Sequence, residues 1–435
     1  MSSVTTAQNM NLPGASAQIL HPEPKVRGLR QPTRDPISAV TDPAPYRFYR
    51  ELVGRHPLYF DERLGFWVAS GAGVVEAILQ DSAFSVRPLE EPVPTAIKGT
   101  RAADIFARLV RMRDGGAQRP LKQAICKALT PVDLRHLTTR SEDWTHHLLQ
   151  LPIVESQDET APDITFRLPI YAVGSLLGVP SDHLPQTVHW MNDFARCLAP
   201  GSNPQQVEQG RQAAESLWDL FYELLQQAQF PCHRNPLGRP LDQGLLSSFA
   251  RSACRHLGHD EGLIIANAIG FLSQSYEATA GLIGNSLVAL ARRPGLAEAV
   301  GTDPDLLEAV IREVTRFDPP IQNTRRFAAV DSLVAGEKIK AGEAVLLVLA
   351  AANRDVEVNP DPGDFNPRRV DPVVFTFSAG AHLCPGNEMA IAMTKGALLQ
   401  LLASKIDLDA LTRDFHYRPS QNARVPLLNW DSVCV

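Results

Sequence analysis

The chain has 435 residues, 44% of them hydrophobic and 21% charged, with a formal net charge of −6. That length allows two or three domains or one large enzyme, and the balance is that of a soluble globular protein without the basic stripe of a nucleic-acid binder. Six cysteines, Cys126, Cys197, Cys232, Cys254, Cys384 and Cys434, occur without C-x-x-C pairing, so the spacing indicates neither a disulfide framework nor a zinc site and favours a reducing compartment. The N-terminus lacks a charged head followed by an apolar run, and no apolar stretch reaches the roughly 18 residues that span a bilayer. A cytoplasmic protein with no membrane and no nucleic-acid partner is expected.

Residues 1–38, rich in Ser, Thr, Pro and Gly, read as a flexible arm, with order beginning near residues 42–43 and a single domain over 39–435. A helical stretch from Tyr46 leads into two short apolar runs, 57–60 and 65–69, separated by a charged turn as in a hairpin. From about 102 to 293 helical periodicity dominates, broken by clusters such as 200–204. Within it, the mostly apolar stretch 261–292 would form a helix of ~45 Å at 1.5 Å per residue. Strand-like runs return at 332–334 and 344–350, and a Pro- and Asp-rich meander over 353–372 precedes the run Phe377-Ser378-Ala379-Gly380-Ala381-His382-Leu383-Cys384-Pro385-Gly386. A last helical stretch ends near Leu402. The fold class is mainly α with small β-sheets, without internal repeats.

Cys384 is the best candidate for the chemistry. Free amides and the positive end of the following helix favour a thiolate, which can ligate a metal such as iron. Gly380 and Gly386 permit backbone angles and close approaches that a side chain would block, so a flat cofactor has room, and Phe377 is placed to shield the sulfur. A buried structural cysteine is the alternative, because free cysteine is commonly buried.

The spacing Phe-x-x-Gly-x-His-x-Cys-x-Gly resembles the haem-binding loop of the cytochrome P450 family, whose cysteine thiolate is the axial ligand of haem iron. The order of elements is similar to that family's from about residue 40 to the end. The resemblance implies a triangular helical prism with haem b between the long central helix and the helix after the cysteine loop. It also implies a buried network of Glu313, Arg316 and Arg369, with Arg326 and His382 on the haem propionates. Where the family usually has His and Arg on an earlier helix, this chain has Gln118 and Lys122, either a weaker pair of propionate partners or, for Gln118, a surface residue. Soluble bacterial members draw NAD(P)H-derived electrons through ferredoxin and ferredoxin reductase. Met389-Ala390-Ile391, in place of a basic residue after the loop, weakens the case for an ordinary acidic ferredoxin.

The central helix departs from the family pattern. Ala-Gly followed after one residue by an acid and a threonine becomes Gln274-Ser275-Tyr276-Glu277-Ala278-Thr279. Ala278 cannot hold the water that relays protons for oxygen activation, and Thr279 lies about 100° further round the helix. Ser275, Gln274 or a substrate hydroxyl would order that water beside Glu277, unless Ser275 bonds back to its own helix and Gln274 only shapes the pocket. The leading expectation is a monooxygenase acting on a small organic molecule, free or carrier-bound, in secondary metabolism. A peroxide-using, coupling or desaturating oxidase and a non-catalytic haem sensor are the alternatives. Substrate-pocket residues are expected around 84–100 and 180–235.

Overall fold

The computed structural model describes residues 35–151, 162–199, 201–228 and 244–432. Most of the arm, the end of the second expected pocket range, Cys232 and Cys434 fall outside these. Structure starts earlier than residue 42: Ser38–Thr41 form a 3-10 turn in which Ala39 and Val40 are fully buried.

A five-stranded sheet joins distant parts of the chain. Its spatial order is Leu58–Asp61, Phe66–Ala69, Ala344–Leu347, Thr324–Ala328 and Phe84–Ser85. The first two strands form the expected hairpin, whose turn is held by Asp61 Oδ1 accepting from the Arg63 and Leu64 amides and by Gly65 at φ +72°. Phe66–Ala69 then runs parallel to Ala344–Leu347, which pairs antiparallel with Thr324–Ala328, placing Arg326 opposite Val345. The run expected as one strand over 344–350 ends at Leu347, and Leu349–Ala352 is a short helix. Alanine has the highest helix propensity, and the Val348 amide makes the last bond to this sheet, to Ala69 O. Ser332–Val334 forms a separate two-stranded sheet with Glu337–Ile339.

The long central helix spans Glu261–Ala291, its N-terminus capped by Asp260, which accepts from the Leu263 amide at 2.9 Å. It is apolar on nearly every side because the helices Arg101–Arg108, Ile164–Leu177, Pro204–Gln227, Pro304–Phe317 and Asn387–Ala403 pack around it. At Gly281 a Cβ would lie 2.7 Å from Pro320 Cβ and 3.0 Å from Arg424 O, so only glycine lets these segments cross so closely.

The meander hangs on the end of the Pro304–Phe317 helix. Arg316 meets Glu313 through two bonds of 2.5 and 2.9 Å and donates to the carbonyls of Pro362 and Asp364 at 3.0 Å each. Arg369 stands 3.9 Å from Glu313 and spends its hydrogen bonds on carbonyls of the meander, so the third member of the expected network acts mainly on the backbone. Asn353 and Thr376 then tie the meander's two ends to Thr315 O, which sets where the cysteine loop begins. A second buried cation, Arg424, pairs with Asp318 at 2.7 Å and donates to Val40 O and Asp42 O, locking the first described segment to the last.

Candidate active site

The cysteine loop is a closed turn. The Cys384 amide donates to Phe377 O at 2.8 Å, with Ser378 and Gly380 in the left-handed region at φ +64° and +61°. At Gly380 a Cβ would lie 2.9 Å from Leu79 O, because the loop rests on the helix Ala72–Gln80. Gly386 caps the helix Asn387–Ala403; a Cβ there would meet nothing within 4 Å, so that side of the loop is open to a flat group. Burial pushes the Cys384 thiol pKa up, and the Gly386 amide and Lys122 pull it only partly back. Burial thus opposes the pull of the helix end on the sulfur. A bound cation is what would tip the sulfur to its charged form.

Four expected residues gather round this loop. Gln118 and Lys122 lie on the helix Gly115–Leu129 and donate to Ala381 O, at 2.8 Å, and to Leu383 O. Gln118 is buried, which removes the surface alternative. His382 Nε2 lies 2.9 Å from Asp114 Oδ1, an acid with no signal in the sequence beyond its place before two glycines. Burial raises the Asp114 pKa, but hydrogen bonds from His382 and the Val86 amide outweigh it and hold the carboxyl below its usual range. Arg326 is 5% exposed and donates only to Arg325 O and Thr324 Oγ1, with no ion pair among the described residues.

The central helix is buried along most of its length, yet between Phe271 and Ala278 it regains accessible surface, and Gln274 is exposed. A helix at the heart of the molecule shows such surface only where an interior space adjoins it. Gln274 Nε2 and Ser275 Oγ both bond back to their own helix, to Gly270 O at 3.3 Å and Leu272 O at 2.9 Å. Thr279 is 1% exposed, turned into packing, whereas Ala278 borders the space. Glu277 lies 3.7 Å from Arg418, which donates to Asn192 Oδ1 at 3.1 Å, the acceptor also used by the Tyr276 hydroxyl. Neither Arg418 nor Asn192 carries a sequence signal, because each reaches the site from a distant segment. A surface cleft of about 220 Å3, lined by Lys127, Arg251 and Arg255, contains none of these residues.

The donor set fits haem b. Cys384 offers one soft ligand, and among the described residues no group of three or more His, Cys, Asp or Glu could hold a metal alone, so the other ligands would come from a prosthetic ring. Arg326, with no carboxylate partner, and Lys122, bonded only to a carbonyl, suit the two carboxylates such a ring carries. The open face of Gly386 and the interior surface of the central helix, which packs against the helix after Cys384, leave room for a flat group.

Comparison with known proteins agrees. Residues 304–404 match the family model described as Cytochrome P450. The chain is 27% identical over 383 residues to the biotin biosynthesis cytochrome P450 of Bacillus subtilis, covering 86% of this chain and 92% of that one. It is 30% identical over 289 residues to cytochrome P450 107B1 of Saccharopolyspora erythraea, covering 66% and 67% respectively. Among solved structures, P450BioI in complex with an acyl carrier protein ligated to hexadec-9Z-enoic acid superposes with a TM-score of 0.72 at 25% identity, covering 88% of this chain and 96% of that one. The loop, the fold and these relatives together place the chain in the cytochrome P450 family, as an oxidoreductase that uses haem b, O2 and electrons from a redox partner.

Proposed function

We propose that Cys384 would supply the thiolate that holds the haem iron of a monooxygenase that oxidises a small organic molecule of secondary metabolism in the cytoplasm. Arg326, Lys122, His382 and Gln118 would bind the propionate carboxylates, Gly380 and Gly386 would allow a flat group close to the loop, and Phe377 would shield the sulfur. When bound, the thiolate-ligated haem supplies the oxygen-activating chemistry, favouring O–O cleavage. Glu277 carries the protons, exchanging its carboxylate between Arg418 and water in the interior space. Ser275, Gln274 or a hydroxyl of the substrate orders that water, while Thr279 faces packing.

The observation that carries this reading is the free Cys384 thiol in a closed loop braced by Gln118 and Lys122, with Arg326 buried and without an ion pair among the described residues. Electrons arrive from a ferredoxin-type partner. Arg312, beside the loop, is taken up by Glu388 at 2.6 Å and Glu308 at 2.9 Å, so docking relies less on basic charge and more on apolar contact such as the exposed Leu383. The substrate is free or, by analogy with the P450BioI complex, attached to a carrier protein. The reduced carbon monoxide spectrum tests the ligand assignment: Cys384→Ser abolishes the thiolate band, and survival of that band would overturn it.

A second reading, peroxide use or oxidative coupling and desaturation, is favoured by Ala278 and by the back-bonded Ser275 and Gln274, which leave the water relay weakly built. Efficient turnover with peroxide and no reductase would select it.

A further inference from the structure

Arg111 sits in the 3-10 turn Val110–Met112, just before the helix that carries Gln118 and Lys122. This turn is fastened to the central helix without its help. Asn267 accepts from the Val110 amide at 2.9 Å and donates to Arg108 O at 2.8 Å, and Leu109 packs so closely that a Cβ on Gly270 would lie 2.9 Å from it. The Arg111 side chain takes no part in this clamp. It makes no hydrogen bond or ion pair among the described residues, and its Nε is sealed from solvent without an acceptor. The rest of the side chain keeps some accessible surface, on the side where its turn meets the central helix.

The charged group that acts on Arg111 is Glu277, on the stretch where the helix regains surface; the Asp114, His382 and Arg326 corner is not among its electrostatic neighbours. Glu277 is already paired with Arg418, itself held by Asn192 and stacked over the Phe166 ring at 4.8 Å. Glu277 thus has Arg418 at 3.7 Å and a second guanidinium, that of Arg111, as an electrostatic neighbour. A buried cation left without a partner is costly, and a planar guanidinium with free donors suits a bidentate anion. A carboxylate would supply Arg111 with that partner while leaving Glu277 to Arg418.

We propose that the substrate bears a carboxylate and that Arg111 is the residue that holds it against the central helix. This deepens the haem-thiolate reading above and rests on it. The test uses the full-length holoprotein and the Soret band. The probes are 1-phenylimidazole and a series of imidazol-1-yl alkanoic acids of increasing chain length, each with its methyl ester, so that the azole anchors on iron and chain length scans for the cation. One or more acids should bind about tenfold or more tightly than the matching ester, the size of one charge-assisted pair. Arg111→Gln should bring that ratio close to one while still shifting with 1-phenylimidazole, and Arg111→Lys should keep part of it. Equal affinity of acids and esters at every length, or a preference that survives Arg111→Gln, overturns the inference alone. If no azole shifts the band, the haem-thiolate reading fails, and the inference falls with it.

Discussion

Arg316 is fully buried and Arg111 is buried at its Nε, yet only Arg316 is satisfied. Arg316 meets both oxygens of Glu313 and three carbonyls of the meander, while Arg111 makes no hydrogen bond or ion pair among the described residues. The same side chain is thus used in two ways. Fully paired, it pins a long irregular segment so that the cysteine loop starts at a set place; unpaired beside the central helix, it is held ready for a group from outside. His382 with Asp114 lies between these extremes, a partly exposed pair with a single bond.

The contrast breaks most visibly at the paired end. Glu313→Ala strands a buried guanidinium and should cost about 3–5 kcal/mol in chemical unfolding, with loss of haem retention; a cost near zero would mean that the meander stands without the pair. A smaller, pH-dependent effect belongs to Asp114. Its folded carboxyl titrates below its usual range, so its contribution to stability is present above the ordinary aspartate value and fades as pH falls through the depressed one. Stability profiles of wild type and Asp114→Asn should therefore converge at the acid end and separate as pH rises; parallel profiles would refute the linkage.

Arg111→Leu should sharpen the comparison. No bond is lost, so the unfolding free energy should fall by less than about 1 kcal/mol or rise, because an unpaired cation leaves the interior. A large loss would assign Arg111 to the scaffold. The smallest stability effect is expected from Ser275→Ala, within about 0.5 kcal/mol. Its signature would be a lower fraction of reducing equivalents ending in product, and unchanged coupling would remove Ser275 from the proton relay.

Much of this was legible along the chain. The hairpin followed from alternating apolar runs around a turn, and the central helix from an apolar stretch too long for a strand. The cysteine loop followed from glycines and a cysteine at fixed spacing. Other features were not legible. Residues 344–350 read as one apolar run, but the strand's pairing partners end at Leu347 and the alanines after it turn helical. Gln118 could not be sorted between surface and site until the loop carbonyl of Ala381 was seen to accept its amide. Arg418, Asn192 and Asp114 have no local pattern, because their partners lie tens to hundreds of residues away, and Arg111 has none because the helix its turn rests on is distant in the chain.

The sequence by itself determined the local chemistry: which residues favour helix, where a backbone must turn left-handed, and which cysteine has the surroundings of a ligand. These depend on neighbours within a few positions and on residue type. Only the tertiary structure decided that burial, not the helix end, dominates the Cys384 thiol, that Arg424 ties the first described segment to the last, and that Arg111 has no hydrogen-bond or ion-pair partner among the described residues. Desolvation and charge pairing depend on what surrounds a group from every side, and that is set when distant segments pack together.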